Sequence, residues 1–101
     1  MNLAKMMKQA QQMQAGMQSM QEELAARSVE ASVGGGKVTV TATCAGEVTA
    51  IRIDPAVIDP TDADFLQDLV LKGVQEAVAK GKEIAAAEMK KLTGGMNIPG
   101  I

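Results

Sequence analysis

The side chains of this 101-residue chain that offer chemistry are charged: ten Lys and Arg, twelve Asp and Glu, no His, and one Cys. The lysines of interest fall into two groups. Lys5 and Lys8 stand in residues 1–20 with no acid near them, and Lys80, Lys82, Lys90 and Lys91 crowd residues 80–92 against Glu83 and Glu88. An ammonium group on a helix is a compact charge suited to phosphate oxygens, and such contacts position a protein on nucleic acid without reading its sequence. These six lysines are the candidate phosphate contacts. The stretch 54–68 has the opposite sign, with Asp54, Asp59, Asp62, Asp64 and Asp68 and no base. It lacks the calcium-loop spacing and two prolines interrupt it, so turn and helix-cap roles are expected rather than a metal site.

The remaining candidates are weaker. Without His there is no imidazole base, no His-containing zinc site and no Ser–His or Cys–His pair. Cys44 alone forms neither an internal disulfide nor a thiolate cluster, and its parity in the surrounding pattern makes it a small core residue. With no Trp or Tyr, there is no platform for stacking single-stranded bases. Gly34, Gly35 and Gly36 are followed by a strand pattern rather than Gly-Lys-Ser/Thr opening a helix, so they read as a hairpin turn and not a phosphate loop. No catalytic residue, metal, cofactor or small-molecule substrate is expected, and an enzyme is the least favoured class. The net charge of −2 gives no global attraction to nucleic acid, but local asymmetry of sign acts on its own. No apolar run approaches the ~20 residues of a membrane span, and the Gln-rich stretch after Lys8 is not a signal-peptide core. A soluble, cytoplasmic protein without a membrane partner is expected.

These residues need elements to carry them. Leu3, Met6, Ala10, Met13, Met17, Met20 and Leu24 alternate steps of three and four, an a/d heptad seam for dimer or helix packing. The intervening glutamines favour a helix over about 2–27, roughly 39 Å long. Alternation then changes to period two, predicting strands over about 29–33, 37–44 and 47–53 in a three-stranded antiparallel meander. Val48, Ile51 and Ile53 do not share one parity, which predicts a bulge near Ala50. Asp54-Pro55 ends the third strand. A second helix is expected over about 61–92, capped by Thr61 or Asp62 and stopped at Gly94-Gly95, with a flexible tail over 94–101. Gly73, Ala77, Gly81 and Ala85 form a small-residue stripe on it. Two internal glycines each cost roughly 1 kcal/mol relative to Ala, so close backbone approach to a sheet or helix is expected to offset them.

Helices of roughly 39 and 45 Å overhang a sheet only about 15 Å wide and 23 Å long. An overhanging Leu/Met seam needs cover, either from the second helix of the same chain or from another chain. The outer strands are unpaired edges as well. A symmetric homodimer resolves both problems and is the expected state. With the helices roughly antiparallel, Lys5 and Lys8 are expected at the same extremity as Lys80, Lys82, Lys90 and Lys91.

The string Met6-Met7-Lys8-Gln9-Ala10-Gln11-Gln12-Met13-Gln14, with Met17-Gln18 and Met20-Gln21-Glu22-Glu23 after it, resembles the first helix of the YbaB/EbfC nucleoid-associated family. The likeness continues through Gly35-Gly36-Lys37-Val38-Thr39-Val40, Ile53-Asp54-Pro55, Asp68-Leu69-Val70 and Gly95-Met96-Asn97-Ile98-Pro99-Gly100. It implies an α+β subunit ordered α-β-β-β-α, a tweezer-like homodimer, and binding to double-stranded DNA on the bacterial nucleoid, in the cytoplasm, with no catalytic activity. Many members carry residues before the first helix. Here Leu3 follows almost at once, so a DNA contact made by such an extension is expected to be missing. The resulting expectation is a homodimer that binds double-stranded DNA mainly through the phosphate backbone and serves nucleoid organisation or gene regulation. The alternative is an adaptor that clasps a protein partner through its helical tips.

Overall fold

A computed structural model describes residues 2–93, and the expected tail over 94–101 lies outside the described residues. Helix α1 spans Leu3–Ala26, where Ala, Gln, Met and Glu dominate; the Asn2 side chain caps it by accepting from the Lys5 N–H at 3.3 Å. Arg27 turns extended and leads into strands β1 (Ser28–Val33), β2 (Val38–Thr43) and β3 (Val48–Ile53). The strands form an antiparallel sheet in the order β1-β2-β3, with Val33 opposite Val38 across the first turn. Gly34, Gly35 and Gly36 all have positive φ there, a conformation closed to most side chains.

Thr41 pairs with Ala50 while Ala42 pairs with Val48, so Thr49 is the extra residue of a bulge. The bulge resets the pleat. Val48, Ile51 and Ile53 thereby share the face of Ala42, Val40 and Val38, their cross-strand partners. The β2–β3 turn is held by Thr43, whose buried hydroxyl accepts from the N–H groups of Ala45 and Glu47, each at 3.2 Å.

A short 3₁₀ turn, Pro55–Val57, follows β3, with Asp54 capping it at 2.9 Å from the Ala56 N–H. The strand-ending role read for Asp54-Pro55 did not anticipate this turn. Helix α2 spans Ala63–Leu92. Asp62 rather than Thr61 caps it, accepting from the Phe65 N–H at 3.4 Å, because Thr61 is tied back to Asp59 through both its N–H (2.9 Å) and its hydroxyl (2.7 Å).

The core lies between α2 and one sheet face: Ala31 and Val33 of β1, Val38, Val40 and Ala42 of β2, and Ala77 of α2. The glycines of α2 permit this approach. A Cβ on Gly73 would stand 2.8 Å from Cγ2 of Val40, and one on Gly81 would stand 2.8 Å from the Thr43 carbonyl oxygen. Close contact with the sheet is what offsets their low helix propensity. A second cluster, Met20, Leu24 and Cys44 with Ile84, Ala85 and Leu92, joins the end of α1 to the end of α2.

Candidate nucleic-acid interface

The two helices run antiparallel and overlap only at their C-terminal parts. Leu24 packs near Ile84 and Ala85, while Gly16 lies under Leu92, whose Cδ1 would be 3.3 Å from an added Cβ. Residues 3–15 therefore project past the end of α2 by roughly 20 Å at 1.5 Å per residue. The molecule accordingly measures 70 × 24 × 17 Å. The heptad seam divides at this boundary. Met20 and Leu24 are buried and Met13 is half-buried, whereas Leu3, Met6 and Met17 are 70%, 50% and 37% exposed and Ala10 is also exposed. The internal fold-back thus covers only the last third of the seam.

The lysines divide in the same way. Lys5 and Lys8 sit on the projecting part of α1, and no acid occurs along that helix before Glu22. Lys90 and Lys91 occupy the last turn of α2, level with the base of the projection, where Lys91 shares Glu88 (3.4 Å) with Arg27 (3.8 Å). Lys80 and Lys82 do not lie at that end. They are about 15 Å back along α2, beside the sheet. Lys80 Nζ donates to the Glu30 carbonyl of edge strand β1 at 2.8 Å, while Lys82 lines a groove with Val74 and Val78.

Three cations that the sequence did not single out prove to be structural, while a fourth, Lys72, makes no ion pair among the described residues. Arg52 pairs with Glu30 at 3.7 Å, Arg27 with Glu88, and Lys37 with Asp54 at 3.2 Å. Their partners lie far away in sequence, so spacing alone carried no signal for them. Among the described residues, Lys5, Lys8, Lys72, Lys80, Lys82 and Lys90 have no carboxylate within salt-bridge distance.

The clustered aspartates take the opposite end, whereas Glu22, Glu23, Glu83 and Glu88 lie where the two helices overlap. Asp54, Asp59, Asp62, Asp64 and Asp68 belong to the 3₁₀ turn and the start of α2, about 35 Å or more from Lys91. The Ala56 N–H and the Lys37 ammonium hold the Asp54 carboxyl below its usual range, and the Thr61 hydroxyl and N–H do the same for Asp59. These bonds are those of turns and caps. Among the described residues, no group of three or more His, Cys, Asp or Glu is placed to hold a metal ion, and no helix is long and apolar enough to cross a membrane.

The molecule is therefore an elongated body with an aspartate cluster at one end and, at the other, a projecting helix whose only charges are Lys5 and Lys8. A solved structure of an uncharacterized protein from Helicobacter pylori shares this fold at a TM-score of 0.83 and 17% identity, covering 93% of this chain and 99% of that one. A nucleoid-associated protein of Akkermansia muciniphila is 59% identical over 99 residues, covering 98% of this chain and 95% of the relative. Another, from Thermoanaerobacter sp. (strain X514), is 50% identical over 100 residues, 99% of this chain and 90% of the relative. The model of the YbaB/EbfC DNA-binding family, a family of binding proteins and not of enzymes, matches residues 1–96. The chain belongs to the YbaB/EbfC DNA-binding family.

Proposed function

We propose that this protein acts as a homodimer on the nucleoid in the bacterial cytoplasm, holding double-stranded DNA through the phosphate backbone at its cationic end and so serving nucleoid organisation or gene regulation. The observation that carries this reading is the segregation of charge along the long axis. A chain with net charge −2 is repelled by DNA as a whole, yet the Asp54–Asp68 cluster sits about 45 Å or more from Lys5 and Lys8 on the projecting part of α1, and the first acid along that helix, Glu22, is about 20 Å from Lys8. Even the shorter of these distances exceeds the ~8 Å Debye length at physiological salt about twofold, so Lys5 and Lys8 act independently of the acids.

Lys5, Lys8, Lys90 and Lys91 are the foremost phosphate contacts in this reading. Lys82 lies further back, and Lys80 reaches DNA only by leaving the Glu30 carbonyl. No cluster of Arg, Asn and Gln marks a base-reading helix, so binding is expected to be tolerant of sequence. The homodimer finds support in the apolar surface left open on one chain, where Leu3, Met6, Ile51, Leu71 and others stand in water. Fluorescence anisotropy on random-sequence duplex DNA tests the proposal. Affinity is expected to fall steeply from 50 to 200 mM salt and to change little with sequence; no binding at low salt would end it.

A further inference from the structure

We infer that the segment following α2, residues 94–101, lies along the projecting part of α1 and covers the apolar seam that the fold-back leaves open. The seam is a single stripe. At about 100° per residue, Leu3, Met6, Met13, Met20 and Leu24 all fall within roughly 100° of one another around α1. Where the two helices overlap, that stripe faces α2 through Met20 and Leu24. Beyond Gly16, where Leu92 packs and α2 ends, the same stripe runs on for about 20 Å with Leu3 and Met6 exposed and Met13 half-buried. Lys5 and Lys8 stand roughly 150° around the helix from it. A duplex held by those lysines therefore leaves the seam uncovered. Helices in proteins owe most of their stability to packing of the apolar face, so this one calls for a cover other than DNA.

Three observations name the occupant. The first is direction. Because α2 runs antiparallel to α1, the chain leaving Leu92 and Thr93 already heads toward Leu3 along the line of the stripe, and no reversal is needed. The second is length. Residues 94–101 reach up to about 26 Å at 3.3 Å per residue, against about 20 Å from Gly16 to Leu3. The third is composition. Gly94-Gly95-Met96-Asn97-Ile98-Pro99-Gly100-Ile101 carries no charged side chain and offers Met96, Ile98 and Ile101 to a stripe that is itself uncharged. Methionines on both sides adapt to whatever register the two segments adopt. The paired glycines permit the change from helix to an extended path, in which Pro99 is tolerated. So short a tether also holds the segment at an effective concentration in the millimolar range, above that of any dilute separate partner. The cover takes Leu3 and Met6 out of the apolar surface open to a second chain and leaves Ile51 and Leu71.

Amide hydrogen exchange on the full chain, followed residue by residue by nuclear magnetic resonance, tests the cover. Met96→Ser/Ile98→Ser removes the apolar contacts and alters no charge. It is expected to speed exchange of the amides from Lys8 to Met13 at least tenfold, while those of β2 and of Met20 to Leu24 exchange as in the native protein. The native protein is also expected to show nuclear Overhauser contacts from the Ile98 methyls to the methyls of Met6 or Met13. Mixing isotope-labelled with unlabelled chains is expected to place those contacts within one chain. The double variant is expected to bind duplex DNA with the native salt dependence, since the cover lies on the side of α1 away from Lys5 and Lys8. Exchange unaltered by the double substitution, or absence of the methyl contacts, overturns the proposal. Contacts found only between labelled and unlabelled chains overturn the assignment to the same chain's segment, and a reduced salt slope overturns its placement opposite the lysines.

Discussion

Replacing Gly81 by Ala sets two calculable effects against each other. Helix propensity favours Ala by about 1 kcal/mol at an interior position. Against this, the new methyl would lie 2.8 Å from the Thr43 carbonyl oxygen and 3.2 Å from the Cys44 Cα, both backbone atoms in the sheet. Neither moves alone. Restoring van der Waals distance lifts α2 by about half an ångström from β2, loosening Ala77 in the core. Overpacking of this kind costs about 1–3 kcal/mol, and rigid neighbours put Gly81 at the upper end, so a net loss of about 2 kcal/mol is expected. Gly16→Ala is the internal comparison. Its methyl meets only Leu92 Cδ1 at 3.3 Å, the end of a flexible side chain, so most of the propensity gain remains. Thermal unfolding at fixed protein concentration should show Gly81→Ala about 8–16 °C below the native protein and Gly16→Ala at or slightly above it. If Gly81→Ala melts as high as Gly16→Ala, close approach is not the reason for the glycine.

Val40→Ala should lower stability by about 2 kcal/mol in denaturant unfolding, since Val40 is fully buried and its Cγ2 fills the space above Gly73. Asp54→Asn should destabilise the protein at neutral pH but not in acid. The folded state holds the Asp54 pKa below its unfolded value, so the stability it contributes is full above about pH 4 and is lost as pH falls through the folded pKa; melting curves of both proteins should converge toward pH 2. Lys80→Ala should lower the melting temperature by releasing the Glu30 carbonyl while leaving the salt dependence of DNA binding unchanged.

Much of the fold could be read from period and punctuation. The broken parity of Val48, Ile51 and Ile53 signalled a bulge because side chains must alternate across a pleat, and Thr49 is the residue inserted. The glycine stripe on α2 signalled a close approach because its propensity cost needed an offset. The heptad seam of α1 was equally plain, but its division was not. Whether Met17 is covered depends on where α2 stops relative to the sheet, a length set by the whole chain rather than by the seam. The lysine cluster shows the same limit. Lys80 and Lys82 are only ten and eight residues from Lys90, yet the helical rise of 1.5 Å per residue sets them about 12–15 Å back, beside β1 and the open groove. A backbone carbonyl as the partner of Lys80 leaves no mark in side-chain identities.

The most direct test is a salt titration of duplex binding by the native protein beside Lys5→Ala/Lys8→Ala. Four foremost lysines in each of two subunits predict a log–log slope of about −7, and loss of two per subunit predicts about −3.6, at about −0.9 per phosphate. A slope near zero for the native protein, or one left unchanged by removing both α1 lysines, would contradict backbone gripping by the projecting helix.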